Sequence, residues 1–340
     1  MSCKQELLTN STKSGKSEIY KDSEYTYILG ISNYSGNPEV FKTVPQNPKL
    51  LLYGGDMLIY KKDVEVIKQY KSLDKNAILE IDSLKNKYVK DSITKNRTLT
   101  TPDTDNWYCV PLHAILWPRS TIYFSIDPDI KEPQLEYIYR AIDEWENATN
   151  LRFIEQGWSK DTVDTIHDKE LYINDIKVDG FCAAYVGAPK EDGKLAQMLL
   201  SSSCNYHAIL HEFGHVIGYT HEHQRPSRDK YLTMNTKALD LVGNAFGYDI
   251  YTSLMNQMFM TKDVYNDKIA FDFKSIMLYS SYSSNKDVQK YLKDRNQPLY
   301  TNKYGQIIKD EDIASISEEI IARTLKLYPE PGDICPEGLN

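Results

Sequence analysis

The chain has 340 residues, of which 41% are hydrophobic and 26% are charged, and its formal net charge is -8. Such a composition is ordinary for a globular protein, and the length suggests two domains or one large domain with an appendage. The absence of a long apolar run excludes a membrane span, and the negative charge without a strong basic cluster argues against a nucleic-acid partner.

The first residues are polar and carry no apolar core of a signal peptide. Two accounts fit: a cytosolic protein, or a protein from which an export signal was removed. Cys3 favours the second account, because a cysteine at the start of a polar stretch is similar to the lipid-attachment site of a bacterial lipoprotein. The alternative is an unpaired thiol in a tail. Residues 1 to about 30 are rich in Ser, Thr, Lys and Asn, which predicts a tether.

A short apolar run, Leu50 to Tyr53, meets two glycines and resumes at Asp56 to Tyr60. This pattern predicts an extended segment broken by a turn. The following stretch, Asp63 to Lys87, is rich in lysine and mixed in charge. It could be helical but cannot bury a large face by itself.

A polar, turn-prone stretch ends near residue 106, and denser apolar patterning begins at Trp107. We therefore divide the chain into a front segment, residues 1–104, and a main domain, residues 105–340. At the start of the main domain, Thr121 to Ile126 alternates as a strand. Pro133 to Thr149 places its apolar residues on one helical face.

The candidate metal ligands and the candidate general base lie in residues 211–221. On a helix, His211 and His215 are four residues apart, so one metal ion can bridge both imidazoles. Glu212 is positioned to take a proton from water bound at the open position of such a metal. Gly218 tolerates the left-handed conformation that ends a helix, which returns His221 to the metal.

Two histidines at this spacing can also occur by chance on a helix surface, but the longer pattern is more specific. A second match follows at Ser275 to Tyr279, a methionine-containing turn that would form an apolar floor beneath a zinc ion.

With these motifs the sequence resembles the astacin family of metzincin peptidases, whose signature continues as a run found here at Glu222-His223-Gln224-Arg225-Pro226-Ser227-Arg228-Asp229. The likeness covers nearly all of residues 107 to 335. It implies an α+β catalytic domain of two lobes: a twisted mixed sheet with helices above it, including the active-site helix, and a largely irregular lower lobe after Gly218.

The resemblance also implies the site. It makes His211, His215 and His221 the ligands of one Zn²⁺ ion, with Glu212 as general base. Tyr279 would be a further, movable zinc ligand that stabilises the oxyanion. Leu278 departs from the histidine often found before that tyrosine, which puts the details of the subsites in doubt.

Protein or peptide substrates are the partners that the family implies. The strand Gln197 to Ser203 resembles the upper cleft edge of family members. An extended peptide could add to that edge, residues 197–203, through backbone hydrogen bonds.

The family also implies a disulfide between Cys182 and Cys204. The partner that the family implies for Cys335 is missing, since Asn150 takes its position. Cys109 is the substitute partner, which predicts a Cys109–Cys335 disulfide. Disulfides indicate an oxidising compartment, so we expect a secreted or periplasmic protein, or one on the outer cell surface with a possible lipid anchor at Cys3.

The front segment gains a role from the same resemblance. Tyr53 to Met57 resembles the Phe-x-Gly-Asp motif of astacin propeptides, in which the aspartate, here Asp56, coordinates zinc in place of catalytic water. The family thus implies a largely extended propeptide and a latent zymogen. We expect activating cleavage between Arg97 and Tyr108, preferably at Thr104-Asp105. The alternatives are bulk occlusion of the cleft or a thiol lock.

The sequence thus predicts a zinc-dependent endopeptidase, made as a latent precursor. The alternative is a catalytically silent, zinc-containing module that binds peptides. The first is favoured because every position required for turnover is present.

Overall fold

The computed structural model describes residues 26–32, 38–44, 47–71, 73, 75–94, 115–157, 169–178, 180–189, 194–259 and 270–330. Within these residues the chain is an α+β protein, in which a large mixed sheet carries helices and adjoins a lobe rich in short helices. The predicted fold class is confirmed. Among the described helices, none combines the length and apolar character needed to cross a membrane.

Ten strands form the large sheet. They are β1 (Tyr27–Ser32), β2 (Pro38–Val44), β3 (Asn47–Tyr53), β4 (Met57–Tyr60), β5 (Val64–Tyr70), β6 (Thr121–Ile126), β7 (Arg152–Glu155), β8 (Lys169–Asp175), β9 (Cys182–Tyr185) and β10 (Lys194–Leu200). Their order across the sheet is β5-β1-β2-β3-β4-β9-β10-β8-β6-β7. The front segment therefore supplies one half of the sheet and the main domain the other.

The front segment has its own folded core. Its five strands pair antiparallel, and helix α1 (Lys75–Thr94) packs on them through Ile81. Successive side chains of a strand face opposite sides, so one cluster forms under α1, around Leu29, and another on the opposite face, around Phe41. The segment is extended as expected, but it also carries a helix. The predicted tether reaches less far than residue 30, since β1 begins at Tyr27.

The two halves of the sheet meet where β4 pairs in parallel with β9, with Met57 opposite Ala184 and Leu58 opposite Tyr185. β10 lies between β9 and β8. The prediction that residues 197–203 form a cleft edge is therefore wrong, because residues 198–200 pair with β9 on one side and β8 on the other, and β10 ends at Leu200. On the side of the front segment the outer strand of the main domain is β9, and β4 pairs with its residues Ala184 and Tyr185.

Helices α2 (Gln134–Ala148) and α3 (Tyr206–Ile217) pack against each other beside the main-domain half of the sheet. Fully buried Trp145 of α2 lies in the same hydrophobic core as residues of α3 and the sheet. The predicted strand over Thr121–Ile126 and the predicted helix from Pro133 are confirmed. Both could be predicted because apolar periodicity is a local signal in the sequence.

The lower lobe contains more regular structure than the sequence predicted. It holds α4 (Thr236–Phe246), α5 (Tyr248–Leu254), a π-helical turn (Met255–Phe259), α6 (Lys286–Lys293), α7 (Glu318–Leu327) and a two-stranded sheet of β11 (Leu232–Met234) and β12 (Tyr300–Asn302). Most of these elements share a second core. Helix α7 returns to the first core through Ile320 and Leu327.

Candidate metal centre

Helix α3 carries two of the predicted ligands, and hydrogen bonds fix both of its ends. At its start the side chain of Asn205 accepts from the backbone N–H of Ala208 at 3.0 Å, as a helix N-cap does. At its end Gly218 has a φ of 121°, and its N–H donates to the carbonyls of Gly214 and His215. Only glycine adopts this conformation at low cost. The helix therefore stops shortly after the second histidine.

Three imidazole nitrogens converge on one point. Nε2 of His211 lies 3.2 Å from Nε2 of both His215 and His221. On the far side of the rings, Nδ1 of His211 lies 2.6 Å from the carbonyl oxygen of Ile276, and Nδ1 of His215 lies 2.7 Å from that of Tyr219. A carbonyl oxygen only accepts, so these rings carry their proton on Nδ1 and present a lone pair at Nε2.

Lone pairs that face one another at this distance repel each other unless a cation lies between them. Imidazole nitrogens bonded at about 2.0–2.1 Å to a tetrahedral zinc ion are about 3.3 Å apart, close to the 3.2 Å seen between the histidines. Burial lowers the pKa of His215 to about 4, which keeps that imidazole neutral, as a metal ligand must be. The residues present therefore fit a zinc ion.

Asp56 reaches the same point from the turn between β3 and β4. Its Oδ1 lies 2.9 Å from Nε2 of His221 and 3.2 Å from Nε2 of His215, and its Oδ2 lies 3.5 Å from Nε2 of His211. With the three imidazoles, the carboxylate of Asp56 offers four ligand atoms within 4.8 Å of one another.

Two glycines let the Asp56 turn enter the cleft. Gly54 and Gly55 have φ values of 64° and 121°. A Cβ atom on Gly55 would lie 2.8 Å from Cγ of Gln257 and 3.2 Å from the hydroxyl of Tyr279. A larger residue would be strained in conformation and would collide with the cleft wall.

Tyr279 lies beside the converging histidines, and its hydroxyl donates to Oδ2 of Asp56. Its ring packs 4.6 Å from the ring of His223, and its backbone carbonyl accepts from the hydroxyl of Tyr300. Burial lowers the pKa of His223 well below its usual range, so this ring is neutral. Sequence reasoning missed both supporting residues, although His223 lies within the signature run.

The methionine turn lies directly under α3. Met277 is 1% exposed, and a Cβ atom built on Gly214 would lie 2.3 Å from its sulfur. Glycine at this position, between the two helical histidines, therefore allows the turn to approach. The backbone N–H of Glu222 donates to the carbonyl of Met277 at 2.9 Å, which connects the turn to the segment that carries the third histidine.

Glu212 is buried next to the histidines, and among the described residues its Oε2 has no hydrogen-bond partner. Burial, together with the nearby charge of Asp56, raises the pKa of Glu212 well above its usual range. A buried, unpartnered carboxylate oxygen beside a metal site is suited to bind and deprotonate a water molecule.

A buried charge network supports the third histidine. Glu222 lies 2.7 Å from Nη1 of Arg225 and 3.4 Å from Nη1 of Arg323, and it accepts from the backbone N–H of Asp272 at 2.9 Å. The network connects Glu222, the residue after His221, to Arg323 of α7. The signature run contains Glu222 and Arg225, but no local pattern marks Arg323.

The disulfide between Cys182 and Cys204 is confirmed. Asn150, which we expected in place of a cysteine, donates from its side-chain amide to the carbonyl of Tyr328 at 3.1 Å. Other predictions fall outside the described residues: the Cys109–Cys335 disulfide, the lipid site at Cys3, the boundary between residues 104 and 105, and cleavage at Thr104-Asp105.

The sequence is similar to a known peptidase family and to several of its members. A sequence model of the astacin peptidase family matches residues 111–319. Astacin-like metalloprotease toxin 5 of Loxosceles gaucho is 28% identical over 174 residues, which are 51% of this chain and 82% of the toxin. Blastula protease 10 of Paracentrotus lividus is 30% identical over 197 residues, 56% of this chain and 30% of that protein.

Among solved structures, high choriolytic enzyme 1, a hatching enzyme zinc-protease from the medaka Oryzias latipes, matches with a TM-score of 0.48 and 18% identity. The match covers 67% of this chain and 99% of that chain. The residues matched by the family model make up more than half of the chain and include the three histidines, Glu212 and Tyr279. The chain therefore belongs to the astacin family, and it is a zinc-dependent metalloendopeptidase.

Proposed function

We propose that the full-length chain is the latent form of this endopeptidase, a zymogen in which Asp56 blocks the zinc site. The observation that carries the proposal is the position of the carboxylate, 2.9 to 3.5 Å from the three Nε2 atoms and hydrogen-bonded to Tyr279. A carboxylate oxygen is an acceptable fourth ligand for zinc. In that position it excludes the water that Glu212 would activate.

The catalytic roles follow from the same arrangement. His211, His215 and His221 would hold zinc, which when bound supplies a Lewis acid that lowers the pKa of water and polarises the scissile carbonyl. Glu212 takes a proton from the attacking water and passes it to the leaving amine. The phenol of Tyr279 donates to the carbonyl oxygen as negative charge develops, an effect typically worth a few kcal/mol per donor.

Substrates are proteins or peptides, and we place their binding at β9 rather than at β10. Release of the front segment would free the backbone of Ala184 and Tyr185 in β9, which now pairs with Met57 and Leu58 of β4. An extended peptide can pair with such an edge through its backbone, largely regardless of its sequence. Residues 1–104 act as the inhibitory propeptide and residues 105–340 as the catalytic domain.

Activation needs cleavage of the linker between these parts, residues 97–108. Cleavage between Arg97 and Tyr108 removes the high effective concentration at which the carboxylate is held over the metal. Thr104-Asp105 is the preferred bond, because the family favours an acidic residue after the cut and the enzyme could then process itself. The Cys182–Cys204 disulfide supports a location outside the cytosol, with Cys3 as a site for a lipid anchor.

The test compares uncleaved full-length proteins on casein. Asp56→Ala should hydrolyse casein before any processing, or process itself faster than the unmutated chain. Asp63→Ala is the matched control, since this aspartate lies seven residues further along the front segment and is not among the four residues of the metal cluster. It should stay latent. A fully latent Asp56→Ala variant would assign the lock to bulk occlusion or to a thiol.

A second variant separates the enzyme from a silent peptide-binding module. After processing, Glu212→Ala should bind zinc and remain inactive, because the base is lost while the ligands are kept. Equal casein hydrolysis with and without Glu212 would contradict its assignment as the base.

A further inference from the structure

Gln224 is a fully buried side chain that touches three functional parts of the molecule at once. Its Oε1 lies 3.1 Å from Nδ1 of the third histidine, His221. Its Nε2 donates to the carbonyl of Gly54 at 3.2 Å, to that of Asn256 at 3.0 Å and to that of Gln257 at 2.9 Å. One amide thus connects a zinc ligand, the front segment and the wall of the cleft.

The oxygen of this amide is the hydrogen-bond acceptor for Nδ1 of His221, and backbone carbonyls are the acceptors for the other two histidines. It accepts the Nδ1 proton, which fixes the tautomer and the orientation of the ring. His211 and His215 use the carbonyls of Ile276 and Tyr219, which no substitution removes. The third ligand is held by a side chain, so its orientation can be changed by mutation.

The nitrogen end of the amide is shared between the front segment and the cleft wall. Its two N–H groups face three carbonyls, and one of them, that of Gly54, belongs to the turn that delivers Asp56. When the front segment leaves, two carbonyls remain for two N–H groups. Docking of the front segment therefore acts directly on the residue that orients His221.

We infer that Gln224 is a positioning residue that couples docking of the front segment to the orientation of the third zinc ligand. The inference rests on the proposed function of the front segment and goes beyond it, because it names a second connection to the metal besides Asp56. Coupling of this kind is reciprocal. The docked front segment should slow the release of zinc, and bound zinc should slow the release of the front segment.

The experiment measures how fast zinc passes from zinc-loaded full-length protein to a colorimetric chelator. Gln224→Leu, which removes the acceptor for His221, should release zinc about 10- to 100-fold faster, as is typical when an outer partner of a ligand is lost. Gln134→Leu is the matched control. Gln134 is also buried and donates to the carbonyls of Ser202 and Cys204, away from the metal cluster. It should release zinc at the unmutated rate.

Gln224→Glu separates the two ends of the amide. It keeps an acceptor for the histidine but replaces the donor with an oxygen that faces carbonyls. Its zinc should pass to the chelator at nearly the unmutated rate. The visible spectrum of its cobalt-substituted form should match that of the cobalt-substituted unmutated protein. After cleavage of the linker, however, it should lose the front segment faster. If Gln224→Leu does not fold, Gln224→Glu decides. Fast zinc release, a changed cobalt spectrum or an unchanged rate of front-segment loss in this variant overturns the inference.

Two outcomes distinguish the inference from the proposed function. If uncleaved Asp56→Ala is as latent as Asp63→Ala, the proposed lock by the front segment fails. If Asp56→Ala is active and Gln224→Leu releases zinc no faster than Gln134→Leu, only the coupling through Gln224 is wrong.

Discussion

Replacing Arg323 by methionine tests whether the buried charges beside the third histidine stabilise the fold. The Arg323 side chain is 2% exposed, its Nη1 lies 3.4 Å from Glu222, and its Nη2 donates to the carbonyl of Ala270 at 2.8 Å. Removing one partner of a buried ion pair typically costs about 3–5 kcal/mol. Because Arg225 remains 2.7 Å from Glu222, we expect the low end of that range, about 3 kcal/mol.

Urea unfolding measures this cost, and a Glu212→Ala background prevents self-digestion. With a slope of about 3 kcal/mol per molar, the unfolding midpoint of Arg323→Met should fall by about 1 M. Lys290→Met is the control: its partner Asp294 lies at only 2.7 Å, but the Lys290 side chain is 75% exposed. Exposed pairs contribute little, so its midpoint should hardly move. Equal shifts in both variants would refute the reasoning that burial sets the cost.

Three further predictions concern the metal and its release from inhibition. Tyr279→Phe should keep zinc and lower turnover of the processed enzyme, because the phenol acts on the oxyanion; unchanged turnover would remove it from the mechanism. His215→Ala should lose zinc by metal analysis, and full retention would overturn the ligand assignment. After cleavage between Arg97 and Tyr108, activity should rise further on dilution, since the front segment keeps its own cores and its pairing with β9. Specific activity that is independent of concentration would show that the cleaved segment does not stay bound.

The parts of the site that could be predicted have local determinants. The four-residue spacing of His211 and His215 and the glycine at position 218 act within one helix and its end, and the structure has that helix at Tyr206–Ile217. The turn before Asp56 is equally local, since it needs only two glycines between apolar strands. Sequence reasoning therefore located the residues that the structure brings together, while their chemical roles stay predictions.

The parts that were missed depend on contacts between residues far apart in the chain. Residues 197–203 have the composition of a strand, but nothing local shows that both neighbours of β10 are strands of the same domain. Arg323 reaches Glu222 from a helix about a hundred residues later. The front segment looked weakly patterned because its strands and α1 form a core only when they pack together.

The central claim is that Asp56 is the fourth zinc ligand of the intact chain. A crystal structure of the zinc-loaded, full-length protein, with the metal located from its anomalous scattering, tests this most directly. The account predicts an oxygen of Asp56 about 2.0–2.2 Å from zinc, opposite the three histidine nitrogens. A water molecule or a thiolate sulfur in that fourth position, with the Asp56 carboxylate turned away, would contradict it.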